Sequence, residues 1–131
     1  MLSFEEAADL LDQIAEPFPE VLFEGLNGGV NLQPDARTDP EFPEEDVYIL
    51  GEYCDDLLGR YINLYYGSFA ALAQSEGWSL EDWQRELRET FSHELTHHME
   101  GRAGLHALDD QDAAELAAWR KEFRLSEGST P

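Results

Sequence analysis

The chain has 131 residues, 29 of them acidic and 8 basic, which gives a formal net charge of −21. This length fits a single domain, residues 1–131, that buries its own core. Because nucleic acids and anionic membranes are bound through clustered Lys and Arg, the charge argues against both as partners. It favours cations such as divalent metals and basic peptides, although any one acidic cluster more often forms a solvated surface.

The cysteine content and the N-terminal residues indicate the compartment. Cys54 is the only cysteine, so no disulfide can form within the chain. Residues 1–6 lack the basic and apolar pattern of a signal peptide, and no stretch reaches the roughly 20 apolar residues of a membrane span. We therefore expect a cytoplasmic protein, and we expect it to be a monomer.

The first predicted element is an amphipathic helix over residues 3–16. Ser3 is a suitable N-cap and Glu6 occupies the capping-box position. Pro17 and Pro19 end the helix because proline cannot continue the hydrogen-bonding pattern. Its apolar stripe consists of Phe4, Ala7, Ala8, Leu11, Ile14 and Ala15.

A turn, three short strands and a loop are predicted after the first helix. Residues 21–23 can form one further turn, and residues 30–32 alternate as a short strand. Three prolines and many acids in residues 33–46 predict a surface loop. Residues 46–53 and 61–66 are β-branched and aromatic, and we expect both to be strands.

The C-terminal half is predicted to be mostly helical. Residues 69–76 form a short helix or turn, and Ser79 caps a long helix that runs to Gly101. A connection over residues 102–108 leads to a final helix that starts at Asp109 or Asp110 and ends near Phe123. From about residue 125 we expect a disordered tail. The order of elements predicts a small α+β domain.

The long helix carries the sequence HELTH at residues 93–97. At about 100° per residue, His97 lies only about 40° from His93, so both imidazoles can bind one zinc ion. Both histidines lie just outside the apolar arc of the helix, at the expected lip of a cleft, whereas Glu94 lies within the arc. That arc contains Leu80, Trp83, Leu87, Phe91, Leu95 and Met99.

Glu94 is the candidate general base. Desolvation should raise its pKa and a nearby zinc ion should lower it, which leaves a value suited to accepting a proton from water. The structural alternative is a polar pair within the core, formed by Glu94 and His98. We favour the metal site because the helix is well capped and the two histidines lie at its exposed edge.

The residues themselves leave the third metal ligand open. Catalytic zinc usually takes three protein ligands and one water. Glu100 follows the motif by one turn and His106 lies in the connection, but both positions are typical of solvated side chains. Asp109, Asp110 and Asp112 suit helix capping, and an aspartate there could also turn back onto the metal.

A peptidase also needs a donor for the developing oxyanion. Tyr65, Tyr66 and His98 are candidates, although packing is the more common role for such tyrosines. An exposed edge strand over the cleft could bind an extended peptide by strand addition.

Several segments together resemble the zincin-like metallopeptidase family of small bacterial proteins, the minimal zincins. They are HELTHH at residues 93–98, YILGE at 48–52, and the block at 59–69 that begins GRYI and ends YYGSF. The similarity runs from about residue 4 to 120. It implies a compact single-domain zincin fold with a small mixed sheet and an active-site helix beneath it. It also implies a zinc site formed by His93 and His97, with Glu94 as catalytic base.

The chain departs from the best-known branch of that family, whose motif is HExxHxxGxxD. Glu100 stands at the glycine position and Ala103 stands at the position of the metal-binding aspartate. The chain looks more like a branch with a longer connection, and this likeness implies Asp112 as third ligand. Asp110 and Asp109 follow it in preference, and Glu100 comes last.

These observations predict a zinc-dependent metallopeptidase that acts on a peptide or protein substrate. The alternative is a zinc-binding or peptide-binding module of the same fold that is catalytically weak or silent. In a third interpretation, the chain is an acidic interaction protein in which the motif is vestigial.

Overall fold

The structure, a computed structural model, describes residues 1–41 and 47–105. Over these ranges it has three α-helices, one 3-10 turn and a three-stranded mixed sheet, so the α+β class is confirmed. None of the helices in these ranges is both long and apolar enough to cross a membrane. The elements are α1 (Phe4–Ala15), a 3-10 turn (Glu20–Phe23), β1 (Val30–Gln33), β2 (Gly51–Asp56), β3 (Gly59–Tyr65), α2 (Tyr66–Glu76) and α3 (Leu80–Leu105).

Helix α1 forms as its sequence predicts. The Ser3 hydroxyl accepts from the Glu6 amide at 3.1 Å, and the Glu6 carboxylate accepts from the Ser3 amide at 2.9 Å. This reciprocal pair is the expected capping box, which satisfies two otherwise unpaired backbone donors. The buried face of the helix consists of Ala7, Leu11 and Ile14.

Strand β3 is the centre of the sheet. It pairs in parallel with β1, with Val30 opposite Ile62, and antiparallel with β2, with Gly51 opposite Leu64. Ile62 and Leu64 are both fully buried, which fits a central strand. Strand β2 therefore lies at one edge of this sheet.

Strand β2 lies further along the chain than the predicted strand over residues 46–53. Tyr48 forms only an isolated bridge with Thr38, and the strand itself runs over Gly51–Asp56. The reason is a tight hairpin in which Asp56 opposes Gly59, whose φ of +120° suits glycine. The Asp56 carboxylate accepts a hydrogen bond from the Leu58 amide at 2.8 Å. Aspartate is common in turns because its side chain can bond the backbone two residues further on, and here this bond ends the strand.

Helix α3 packs closely against β2 at a glycine. A Cβ atom on Gly51 would lie 2.7 Å from Leu64 Cδ2 and 2.9 Å from Thr90 Cγ2, closer than van der Waals contact allows. Glycine at this position therefore lets the helix approach the edge strand. This contact brings the residues of β2 next to the HELTH segment.

Two helix boundaries also differ from the predictions. Helix α2 begins at Tyr66 rather than at residue 69, and the Tyr66 phenol donates to the Leu2 carbonyl at 2.6 Å. Helix α3 is capped by Ser79 as expected, because its hydroxyl accepts from the Asp82 amide at 3.2 Å. It continues past Gly101 to Leu105, whereas the sequence predicts a connection from residue 102.

The continuation past Gly101 has a tertiary cause. Arg102 donates to the Val21 carbonyl at 2.8 Å and to the Glu24 carboxylate at 3.0 Å. These bonds hold the turn after Gly101 against the 3-10 turn, and Gly101 is not among the glycines with positive φ that would end a helix. The predicted final helix and the predicted tail lie outside the described residues.

The core-facing side of α3 follows the predicted arc with one exception. Leu80, the first residue of the helix, is 62% exposed, and the buried face begins one turn later at Trp83, which packs against Tyr66 and Phe69 of α2. The remaining members of the arc are buried together in one cluster: Trp83, Leu87, Phe91, Leu95 and Met99.

Candidate metal centre

His93 and His97 present their rings to one another on the exposed side of α3. Their Nε2 atoms are 3.2 Å apart and their ring planes are inclined at 84°. A zinc ion bound tetrahedrally at about 2.05 Å from two nitrogens would place those nitrogens about 3.3 Å apart. The pair is therefore spaced as two ligands of one metal ion would be. Without metal, one imidazole can donate a hydrogen bond to the other across the same distance.

The described residues provide two candidate ligands and no third. They contain no group of three or more His, Cys, Asp or Glu side chains placed to hold a metal. Glu100 is exposed near the end of α3 and does not complete such a group with the two histidines. The other candidates lie outside the described residues: His106, Asp109, Asp110 and Asp112. Asp112 therefore stays a prediction.

Glu94 lies on the buried side of α3, and its side chain differs sharply in exposure from the two histidines. It is only 8% exposed, whereas His93 and His97 are exposed, so the predicted orientation of the helix is confirmed. Burial raises the pKa of Glu94, while His93, His97 and a hydrogen bond from the Tyr53 backbone act in the opposite direction. A carboxylate with a raised pKa is suited to accept a proton from water.

The Tyr53 amide reaches Glu94 because of the register of the sheet. The Tyr65 amide donates to the Leu50 carbonyl at 2.9 Å, so the backbone groups of Leu50 point towards β3. In an antiparallel pair, the backbone groups of successive residues point alternately towards the neighbouring strand and away from it. The backbone groups of Gly51 and Tyr53 therefore point away from β3, and Gly51 lines the cleft. The hydrogen bond to Glu94 comes from this outward side of β2.

His98 has a structural role on the same helix. It is fully buried; its Nε2 lies 2.7 Å from the Glu24 carbonyl and its Nδ1 lies 3.0 Å from the Tyr53 phenol oxygen. Because a carbonyl can only accept, Nε2 carries the proton and Nδ1 accepts from the phenol. Burial lowers the pKa of His98, so the ring is held neutral.

These contacts bear on two earlier alternatives, which are a core pair of His98 with Glu94 and an oxyanion donor among His98, Tyr65 and Tyr66. His98 does not pair with Glu94, and it cannot serve as an oxyanion donor, because both ring nitrogens are occupied in the core. The Tyr65 phenol accepts from Arg37 at 2.8 Å, and the Tyr66 phenol is bound to the N-terminal backbone. Tyr65 is also buried and the Tyr66 ring packs against Phe4 and Trp83, so both side chains are bound within the fold.

A cleft of about 420 Å³ lies beside His93 and Glu94. One wall is the chain segment that enters β2, and the other is the face of α3 before the motif. The lining residues that the sequence analysis missed as site residues are Tyr48, Ile49, Leu50, Gly51, Glu86, Glu89 and Thr90. The helical spacing of Glu86, Glu89 and His93 could have indicated the second wall, because residues three or four apart share a face.

Comparison with known proteins identifies a solved relative. No family model matches the chain, and no curated protein matches it. The chain is similar to a solved structure described as a conserved hypothetical protein from Thermo thermophilus, with 38% sequence identity and a TM-score of 0.68. The match covers 79% of this chain and 100% of that one.

Proposed function

The chain belongs to the same family as that conserved hypothetical protein of Thermo thermophilus, and we propose that it is a zinc-dependent metallopeptidase of minimal zincin fold. His93 and His97 are the proposed metal ligands, and Glu94 is the proposed general base. The observation that carries the proposal is the 3.2 Å separation of the two Nε2 atoms next to a buried carboxylate. Asp112 is the proposed third ligand.

Zinc, when bound, supplies a Lewis acid and lowers the pKa of water towards neutrality. Glu94 then accepts the proton of the attacking water and passes it to the leaving amine. Its location suits this task, since the carboxylate lies between the buried side of α3 and the cleft and its pKa is raised by burial. A hydrogen bond from the Tyr53 backbone acts against this rise and favours the charged carboxylate.

The edge strand offers a way to bind a peptide substrate. Gly51 lines the cleft, and its backbone amide and carbonyl point away from β3. An extended peptide can pair with such an edge, so that its main chain runs past His93 and Glu94. A cleft of about 420 Å³ suits a short or flexible segment rather than a large folded substrate.

A Glu94→Gln variant tests the peptidase proposal. The amide keeps the shape of the side chain but cannot accept the proton, so we expect the variant to retain stoichiometric zinc and to lose hydrolysis of a peptide library. Zinc is measured by elemental analysis, and cleavage is measured by mass spectrometry. Glu81→Gln is the matched control, because Glu81 is exposed in the first turn of the same helix. If zinc-loaded wild-type protein cleaves nothing in the library, the peptidase proposal fails.

The second candidate is a zinc-binding or peptide-binding module without turnover. It is supported by the number of candidate ligands in the described part of the chain, which is two rather than three. Zinc content without cleavage would identify this module. Absence of stoichiometric zinc after reloading would reject the zinc peptidase and the zinc-binding module, and it would favour an acidic interaction protein.

A further inference from the structure

The wall of the cleft formed by α3 is acidic where the substrate would lie. Glu86, Glu89 and His93 follow one another at spacings of three and four residues, so they share one face of the helix. With a rise of 1.5 Å per residue, Glu89 lies about 6 Å and Glu86 about 10.5 Å from His93 along the helix axis. An extended peptide advances about 3.3 Å per residue, so both acids lie within two or three substrate residues of the metal ligand.

The two acids have little compensation from the protein. Arg85 lies 3.7 Å from the Glu86 carboxylate, but it is bound more closely, at 3.0 Å, by Asp82. Glu89 forms no ion pair within 4.0 Å among residues 1–41 and 47–105, although the charge of Arg85 acts on it from further away. Partial burial and the charge of Glu89 raise the pKa of Glu86, which indicates that this wall would gain from a positive charge.

The opposite wall determines which cation fits. Tyr48, Ile49 and Leu50 provide apolar surface facing the same space. Lys and Arg have an apolar stem and a charged end, so they can pack the stem on this wall and direct the charge to the acids. A divalent ion fits less well, because the described residues contain no third ligand for it near the acid pair.

We propose that the cleft selects peptides that carry a Lys or Arg within about three residues of the scissile bond, with Glu86 and Glu89 as the groups that receive it. The proposal rests on the proposed function, because it takes the cleft beside His93 and Glu94 as the substrate site. Glu86 and Glu89 determine specificity in this proposal because they line that site.

Peptide binding tests this specificity without requiring turnover. The zinc-loaded Glu94→Gln variant is titrated with short fluorescent peptides that differ at one scanned position, which is Lys, Met or Glu, and binding is followed by polarisation. We expect the best Lys peptide to bind about tenfold more tightly than its Met counterpart, and the Glu counterpart to bind most weakly. Adding Glu86→Gln and Glu89→Gln should reduce the Lys preference to about twofold or less.

A matched control removes two charges away from the cleft. Glu5→Gln with Glu81→Gln changes the net charge equally, and both residues are exposed. We expect this control to keep the Lys preference. Equal affinity for Lys and Met peptides at every position would overturn the proposal, and so would an equal loss of preference in the control, which would indicate general charge attraction. Failure of the peptidase proposal is separate: wild-type protein would leave the preferred peptide uncleaved while the binding preference persisted.

Discussion

His97 and His98 are neighbours in the chain, yet they lie in opposite surroundings. His97 is exposed, and its Nε2 faces His93 across 3.2 Å. His98 is fully buried, and both of its ring nitrogens are bonded to other elements of the fold. One residue of helical rotation, about 100°, separates a candidate metal ligand from a structural side chain.

The comparison shows how α3 serves two purposes at once. Its exposed face carries the histidine pair and the acids of the cleft, while its buried face binds the sheet and the 3-10 turn through His98 and Arg102. Tyr53 connects the two faces, because its phenol contacts His98 and its amide contacts Glu94. The same strand residue therefore supports both the structural contact and the proposed general base.

Among substitutions of these two histidines, the largest expected effect is on zinc binding. His97→Ala removes one of the two proposed zinc ligands, so we expect zinc affinity to fall by more than about 100-fold. Removing only a residue that supports a ligand costs up to about 100-fold, and the loss of a ligand itself should cost more. Competition with a chelating dye measures the affinity. The metal-free variant should be as stable as wild type, within about 0.5 kcal/mol, because the side chain is exposed. Zinc affinity like that of wild type would contradict the assignment of His97.

The next effect concerns stability. His98→Ala leaves the Tyr53 phenol and the Glu24 carbonyl without their partner and opens space in the core, so we expect a loss of roughly 2–4 kcal/mol in the free energy of unfolding. Urea denaturation of metal-free protein measures the loss, with His97→Ala as the control on the other face. A loss below about 0.5 kcal/mol would show that His98 does not hold these elements together.

The smallest expected effect is a dependence of stability on pH. The pKa of His98 is lowered from its ordinary value of 6.5, first by burial and further by the positive charges of Arg102 and Arg60. The unfolded chain therefore binds a proton near pH 6.5 that the folded chain does not. The stability that His98 contributes is complete above that pH and is lost as the pH falls through the folded value.

The non-titrating variant His98→Gln isolates this contribution. Below pH 6.5, the free energy of unfolding of metal-free wild type should fall more steeply than that of the variant, by at most about 1.4 kcal/mol per pH unit. Denaturation with urea at several pH values measures both slopes, and His93 and His97 are common to both proteins. Parallel slopes would contradict a neutral, buried His98.

Sequence reasoning predicted the elements whose signals are local. The capping box of Ser3 and Glu6, the cap at Ser79 and the central strand all lie at or near the predicted positions. The predicted ranges are wrong where contacts with residues distant in the chain determine the boundary of an element. Strand β2 is set by its pairing with β3, and the end of α3 is set by the bonds of Arg102 to the 3-10 turn.

The candidate site likewise has features that follow from local sequence and features that depend on distant contacts. The exposure of His93 and His97 and the burial of Glu94 follow from helical rotation, so the sequence predicts them. The Tyr53 amide beside Glu94 depends on the register between β2 and β3, which no local pattern indicates. The apolar wall of the cleft was missed for a similar reason, since Tyr48 lies outside the regular strand in which it was predicted.

The sequence by itself determined α3 and the orientation of its histidines and glutamate, because the period of a helix relates residues only a few positions apart. The tertiary structure alone decided which groups surround them: the Tyr53 amide, the Glu24 carbonyl and the wall at Tyr48. These groups lie some 40 to 74 positions away in the chain. Such contacts form only when burial of the core offsets the entropy lost in closing long loops, and the sheet register and the glycine at position 51 then determine which atoms meet.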